Sequence, residues 1–111
     1  MEKGITRTNY IIMAVLAFVP LVMVLIAFPF IPDPMPAHFS LSGAVDRWGS
    51  RYESFVMPVI AVVIGSFMIW VTKFCESKDD HIGRMMFFVT SGMSVFFIAI
   101  EAFILYLTLT V

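Results

Sequence analysis

Three side chains in this sequence have the chemistry to bind a ligand: the imidazole of His38 and the carboxylates of Asp46 and Glu101. His38 and Asp46 lie in a short polar segment, whereas Glu101 interrupts a long apolar run. One imidazole and two carboxylates form a donor set that a divalent ion such as zinc accepts. Because the residues come from separate segments, their spacing does not show whether they converge. The sequence therefore gives His38, Asp46 and Glu101 as a candidate metal site, with its alternatives open.

Glu101 also admits a structural interpretation. An ionisable residue within a membrane span is costly and usually faces the protein interior with a partner. Counted along a helix from Arg84, it lies about 25 Å into a hydrocarbon core of about 30 Å, near the outer surface. Its candidate partners are His38, Arg47 and Arg51. A salt bridge with one arginine, or a protonated Glu101 hydrogen-bonded to the polar segment, would satisfy it. Heptad spacing places Glu101 on the same helix face as two other polar residues, Ser94 and Thr108.

Enzymatic motifs are absent from the sequence. It contains neither GxSxG nor HExxH, so a non-enzymatic role is favoured over a metal-assisted general-base role for His38 or Glu101. The net charge of -1 gives no basic surface for phosphates, so nucleic acid is excluded as a partner. The single cysteine, Cys75, cannot form an intramolecular disulfide.

The composition is that of a membrane protein. Of the 111 residues 60% are hydrophobic and 14% are charged, and the mean hydropathy is +0.96. Three apolar runs are long enough to span a bilayer. We therefore expect one all-α membrane domain, a three-helix transmembrane bundle over residues 1–111. Its predicted parts are spans at about 10–31, 54–72 and 85–109, an outer loop at 32–53 and a cytoplasmic loop at 73–84.

Basic residues predict the orientation, because Lys and Arg near spans tend to stay cytoplasmic. Most lie before the first run or in the second connection, so we expect a multi-pass cell membrane protein with a cytoplasmic N-terminus and an external C-terminus. The first run is longer than a usual signal-peptide core, which predicts that it is retained. The residues compared are Lys3, Arg7, Lys73, Lys78 and Arg84 against Arg47 and Arg51 in the first connection.

The outer loop has the composition of an ordered segment. Alternating prolines predict an extended lead out of the membrane, and Ser42-Gly43 predicts a turn. A second turn is expected where Asp46 is followed by Trp48-Gly49. Ser50 and Glu53 have the S-x-x-E spacing of a capping box before the second span.

Residues 31–58, IPDPMPAHFSLSGAVDRWGSRYESFVMP, resemble the signature of a bacterial and archaeal membrane family of unknown function that forms the N-terminal half of SdpI-type proteins. Ile31 stands where the pattern has Leu, and Ser40 where it has Asn or Asp. The matching residues are Pro32, Pro36, His38, Phe39, Gly43, Asp46, Trp48, Gly49 and Arg51.

This resemblance implies a polytopic membrane protein that protects cells against a secreted antimicrobial peptide, in a system that also sequesters a transcriptional repressor. The chain has three predicted spans, so it resembles the N-terminal half alone. Repressor sequestration is therefore not expected of it without a partner that supplies the other half.

Two functions follow as hypotheses. The favoured one is a small SdpI-like membrane protein acting in binding, sensing or immunity toward an envelope-active peptide, with the outer loop as the recognition surface. The alternative is a metal-binding or ion-handling protein with its site at His38, Asp46 and Glu101.

The partners expected are the lipid bilayer, a peptide ligand or a membrane partner protein. Ala61 and Gly65 form a small-xxx-small pair that favours packing within the bundle and also permits a homo-oligomer. Phe39, Trp48 and Tyr52 suit an interfacial aromatic belt or, alternatively, the lining of a ligand crevice. The candidate ligand-binding residues are His38, Phe39, Gly43, Asp46, Arg47, Trp48, Gly49, Arg51 and Glu101.

Overall fold

Apolar side chains dominate each predicted span, and the computed structural model, which describes residues 5–110, forms a long helix in all of them. All are long and apolar enough to cross a membrane, which confirms the all-α bundle and a multi-pass membrane protein. A small antiparallel sheet lies between the first two helices. The elements are α1 (Arg7–Ala27), a 3-10 turn (Phe28–Phe30), β1 (Met35–Phe39), β2 (Val45–Gly49), a second 3-10 turn (Arg51–Phe55), α2 (Val56–Glu76) and α3 (Asp80–Thr110).

The predicted bounds of the second connection need correction. Helices α2 and α3 both extend into residues 73–84, so that only residues 77–79 connect them. The connection is short because the backbone N–H of His81 donates to Asp79 Oδ1 at 2.8 Å, which caps the start of α3. Of the basic residues used for the orientation, Lys3 lies outside the described residues.

Helices α1 and α2 approach closely through small residues. Ala17, Ala61 and Gly65 are all buried between helices. A Cβ atom on Gly65 would lie 2.7 Å from the Cβ atom of Ala17, closer than real side chains pack. The expectation that Ala61 and Gly65 pack within the bundle is therefore confirmed.

The interior of the bundle is polar along one face of α3. Ser94, Glu101 and Thr108 are almost fully buried there, as their spacing predicts. Farther toward the other end, the hydroxyls of Thr72 and Thr90 are 3.3 Å apart and hydrogen-bonded. Hydrogen bonds between helices are a common means of association where lipid is the solvent.

The connection between α1 and α2 contains a β-hairpin formed by β1 and β2. Gly43 adopts φ +88 at the turn, a conformation that favours glycine, and its N–H donates to Ser40 O at 2.9 Å. The turn expected at Ser42-Gly43 is thus confirmed. The second turn, expected after Asp46, is wrong, because Val45–Gly49 is the strand β2. Backbone pairing with β1 satisfies polar groups that a turn would leave open.

Apolar contacts hold the hairpin against the bundle. Ile31 and Met35, just before and at the start of β1, are buried against Val24 of α1 and Leu105 of α3. The base of the hairpin therefore rests on the C-terminal ends of α1 and α3. This contact fixes the height at which the polar residues of the hairpin lie above the bundle.

The close approach at Gly65 makes a stability prediction. In Gly65→Ala the added methyl group must push α1 from α2, and we expect a loss of about 1–3 kcal/mol, as for other overpacked sites. Gly92→Ala is the matched control, because a Cβ atom at Gly92 meets nothing within 4 Å. Thermal unfolding in detergent should show a lower Tm for Gly65→Ala alone. Equal Tm values for the two variants would contradict the packing.

Candidate functional site

His38 and Asp46 form a hydrogen-bonded pair on the exposed face of the hairpin. His38 lies in β1 and Asp46 in β2, and His38 Nδ1 is 2.6 Å from Asp46 Oδ1. Both side chains are largely exposed, so the pair contributes little to stability. It fixes the orientation of the imidazole instead, since an Nδ1–H that donates to the carboxylate leaves Nε2 as the acceptor.

Arg47 and Glu53 connect the second strand to the turn that follows it. Arg47 Nη2 donates to Glu53 Oε1 at 3.1 Å. The capping box expected of Ser50 and Glu53 is therefore wrong in its second half: Ser50 Oγ accepts from Tyr52 N at 3.3 Å, but the Glu53 carboxylate turns toward the hairpin.

Gly49 has a steric reason to be glycine. A Cβ atom there would collide with the carboxylate of Glu53 and would lie 3.2 Å from the Cβ atom of Ala37. The absence of a side chain at Gly49 thus lets Glu53 reach Arg47 across the base of the hairpin.

Arg51 joins the hairpin to the end of the first span. Its guanidinium carbon lies 4.1 Å from the centre of the Phe28 ring, and its Nη2 donates to Phe28 O at 3.2 Å. Stacking on an aromatic ring and a charged hydrogen bond together suit arginine better than lysine. The Phe28 ring also contacts the rings of Tyr52 and Phe55, at centroid distances of 5.4 and 5.2 Å.

The aromatic residues of the hairpin region divide between two environments. Trp48 and Tyr52 are exposed, by 50% and 67%, and Leu41 at the tip is fully exposed. Phe39 is half-buried and lines a cavity under the hairpin. Trp48 and Tyr52 therefore have the exposure of belt residues, whereas Phe39 has that of a crevice residue.

The cavity under the hairpin has a volume of about 420 Å³. Strand β1 forms its roof and helices α2 and α3 form its walls. The buried polar residues at its edge are Glu101 and Thr108, and most of the other walls are apolar. His38 also lines it, so the structure brings His38 and Glu101 to the same cavity.

Glu101 does not form the salt bridge that the sequence suggests. Both candidate arginines are engaged elsewhere, Arg47 with Glu53 and Arg51 with Phe28. The Glu101 side chain is almost fully buried, and its Oε2 has no hydrogen-bond partner in the described part of the chain. The hydroxyl of Thr108, also at the cavity, has none either.

The three-residue metal site is not assembled. Among residues 5–110 no three His, Cys, Asp or Glu side chains are arranged to hold a metal ion. His38 and Asp46 are paired, but Asp46 lines no part of the cavity that Glu101 borders. The structure thus separates Asp46 from the carboxyl of α3, although His38 lines the same cavity as Glu101.

Sequence reasoning missed Phe28, and it assigned Glu53 a capping role. Both matter only because the hairpin brings distant positions together, Phe28 with Arg51 and Glu53 with Arg47. The Ser42-Gly43 turn, between two short segments that contain Phe39, Val45 and Trp48, was the available signal for the hairpin.

Comparison with known families gives a match over the hairpin. Residues 15–62 match the model of a family described as "Domain of unknown function (DUF1648)". The match includes every candidate residue of the hairpin but not Glu101. It supports the resemblance to a membrane family of unknown function and leaves the SdpI-type relationship a prediction.

A relative supports the same conclusion. An uncharacterized protein of Archaeoglobus fulgidus is 31% identical over 71 residues, which cover 64% of this chain and 37% of the relative. The chain thus spans a little over a third of that relative's length. No solved structure matches the chain.

The collision at Gly49 can be tested by a double-mutant cycle. Gly49→Ala should lower the unfolding free energy by up to about 1 kcal/mol, because the methyl group displaces the partly exposed Glu53 carboxylate from its ion pair with Arg47. In a Glu53→Ala background the same change should cost much less, since the displaced group is gone. Unfolding in detergent gives the four free energies. Purely additive effects would contradict the assigned collision.

Proposed function

We propose that this chain is an SdpI-like membrane protein that recognises an envelope-active peptide through its outer hairpin, in binding, sensing or immunity. The observation that supports this most is the exposed hairpin itself: Leu41 and Trp48 project apolar surface beside the polar His38–Asp46 pair. Apolar area next to a few oriented polar groups suits an amphipathic ligand. The proposal builds on two findings: three helices long and apolar enough to span a membrane, and the match to the DUF1648 family.

The rigidity of the hairpin favours a recognition role over a flexible connection. Its base is held by the Arg47–Glu53 ion pair and by the stacking of Arg51 on Phe28. A preorganised surface loses less conformational entropy on binding than a mobile loop does. The motif residues Gly49 and Arg51 thus act as positioning residues for Trp48 and His38.

Orientation belongs to the same proposal. We place the N-terminus in the cytoplasm and the hairpin and C-terminus outside, because basic residues concentrate at the opposite end from the hairpin. This orientation exposes the hairpin to a peptide that arrives from outside the cell.

A protection assay tests the recognition surface. Cells expressing the protein should survive a cognate membrane-active peptide better than cells without it, and Trp48→Ala should remove most of that survival. Trp70→Ala is the matched control, because Trp70 is an exposed tryptophan of α2 outside the hairpin. Survival that is unchanged in Trp48→Ala, at equal protein levels, would exclude Trp48 from recognition.

Labelling with a membrane-impermeant maleimide tests the orientation. Ser42, exposed at the hairpin turn, is changed to Cys in a Cys75→Ser background. Intact cells should label Ser42→Cys but not the wild-type Cys75 at the other end of the bundle, whereas permeabilised cells should label both. Labelling of Cys75 but not Ser42→Cys in intact cells would reverse the orientation.

A further inference from the structure

We infer that the cavity under the hairpin binds a primary ammonium group carried on an apolar chain, with Glu101 as its counter-ion. This inference goes beyond hairpin recognition, because it concerns the interior cavity and holds whether or not Trp48 contacts a peptide. Three features of the cavity support this inference: its charge, its hydrogen-bonding groups and its connection to the lipid-facing surface.

Glu101 carries the charge that the ligand would compensate. Its side chain is 1% exposed and lines the cavity, and no salt bridge reaches it within residues 5–110. A buried carboxylate without a partner is strongly destabilising, so buried charges in proteins are normally paired. The other titratable residues that line the cavity are engaged elsewhere, His38 with Asp46 and Glu53 with Arg47. A ligand cation is therefore the group that completes the site.

Hydrogen bonding selects the type of cation. An ammonium group has three donors and no acceptor. The cavity offers two buried oxygen atoms without partners, Glu101 Oε2 and Thr108 Oγ1. Their residues are seven positions apart on the same face of α3. Seven positions correspond to about 10 Å along a helix, so one ammonium group bonds to Glu101 Oε2 and not to both oxygens. A buried carboxylate oxygen that lacks a donor matches an ammonium group better than it matches an anion or a neutral chain.

The walls of the cavity select the rest of the ligand. Val56 and Ile60 of α2 and Phe103 of α3 line the cavity and are also exposed on the outside of the bundle. The cavity therefore reaches the surface that faces lipid. An occupant that arrives from the bilayer carries an apolar chain, and a volume of about 420 Å³ is in the range of small-molecule sites.

Native mass spectrometry of the full chain in a non-ionic detergent tests this site with dodecylamine as the probe. Wild type should form a one-to-one complex with dodecylamine, and dodecanol, which has the same chain without the charge, should bind about tenfold more weakly or less. Equal binding of dodecylamine and dodecanol would overturn the inference.

Variants locate the site. Glu101→Gln keeps the size of the side chain but removes the charge, so dodecylamine binding should fall about tenfold or more. Glu76→Gln is the matched control, because Glu76 also has a buried carboxylate oxygen without a partner but lies at the other end of the bundle. Unchanged binding in Glu101→Gln, or an equal loss in Glu76→Gln, would overturn the assignment.

A further variant tests the cavity without a change at Glu101. Ile104→Trp should fill the cavity and abolish dodecylamine binding. Circular dichroism shows whether each variant keeps its helices. If all the folded variants bind dodecylamine as wild type does, the cavity is not the site.

A competition arm identifies the source of the ammonium group. Phosphatidylethanolamine that displaces dodecylamine, where phosphatidylcholine does not, assigns the site to a lipid headgroup. Binding of dodecylamine that neither lipid disturbs assigns it to a free amphiphilic amine, and both results support an ammonium site. Loss of cell protection in Trp48→Ala with dodecylamine binding intact would show that the hairpin and the cavity act separately.

Discussion

The stacking of Arg51 on Phe28 is the contact on which the hairpin end of the structure depends. It joins Arg51, two residues after β2, to Phe28, the residue after α1, and the hydrogen bond from Arg51 satisfies Phe28 O. With both ends of the connection held together, residues 31–50 close as a hairpin over the bundle. The height of His38, the position of Trp48 and the roof of the cavity all follow from this one closure.

A second constraint comes from the solvent. The hydrocarbon core offers no hydrogen bonds, so backbone groups must be paired within helices or within closed strands. Polar side chains meet the same requirement in different ways along this bundle. Thr72 and Thr90 bond to each other, whereas Glu101 and Thr108 stay without partners beside the hairpin. Unpartnered buried groups also occur elsewhere in residues 5–110, such as Glu76 Oε2 at the other end of the bundle, but Glu101 and Thr108 belong to residues that line the cavity.

The sequence predicts the helices well because hydropathy, heptad spacing and caps are local signals. The buried face of α3 through Ser94 and Glu101 follows from the seven-residue spacing of these residues. The hairpin is harder to predict because strand pairing is a contact between segments, and the Pro-rich lead and the residues after Asp46 also fit turns. The role of Glu53 could not be predicted, since it depends on the space that Gly49 leaves once the strands are paired.

The candidate site divides into two parts because its charged side chains differ in whether they have partners. Pairing within the hairpin region uses His38 with Asp46 and Arg47 with Glu53, so these four side chains have partners nearby. Glu101 of α3 pairs with none of them, and its burial leaves it without compensation within residues 5–110. A metal site would have required Asp46 to turn inward and break its bond with His38. The fold instead keeps the paired charges on the outside and one carboxyl inside, an arrangement suited to a ligand that supplies the missing positive charge itself.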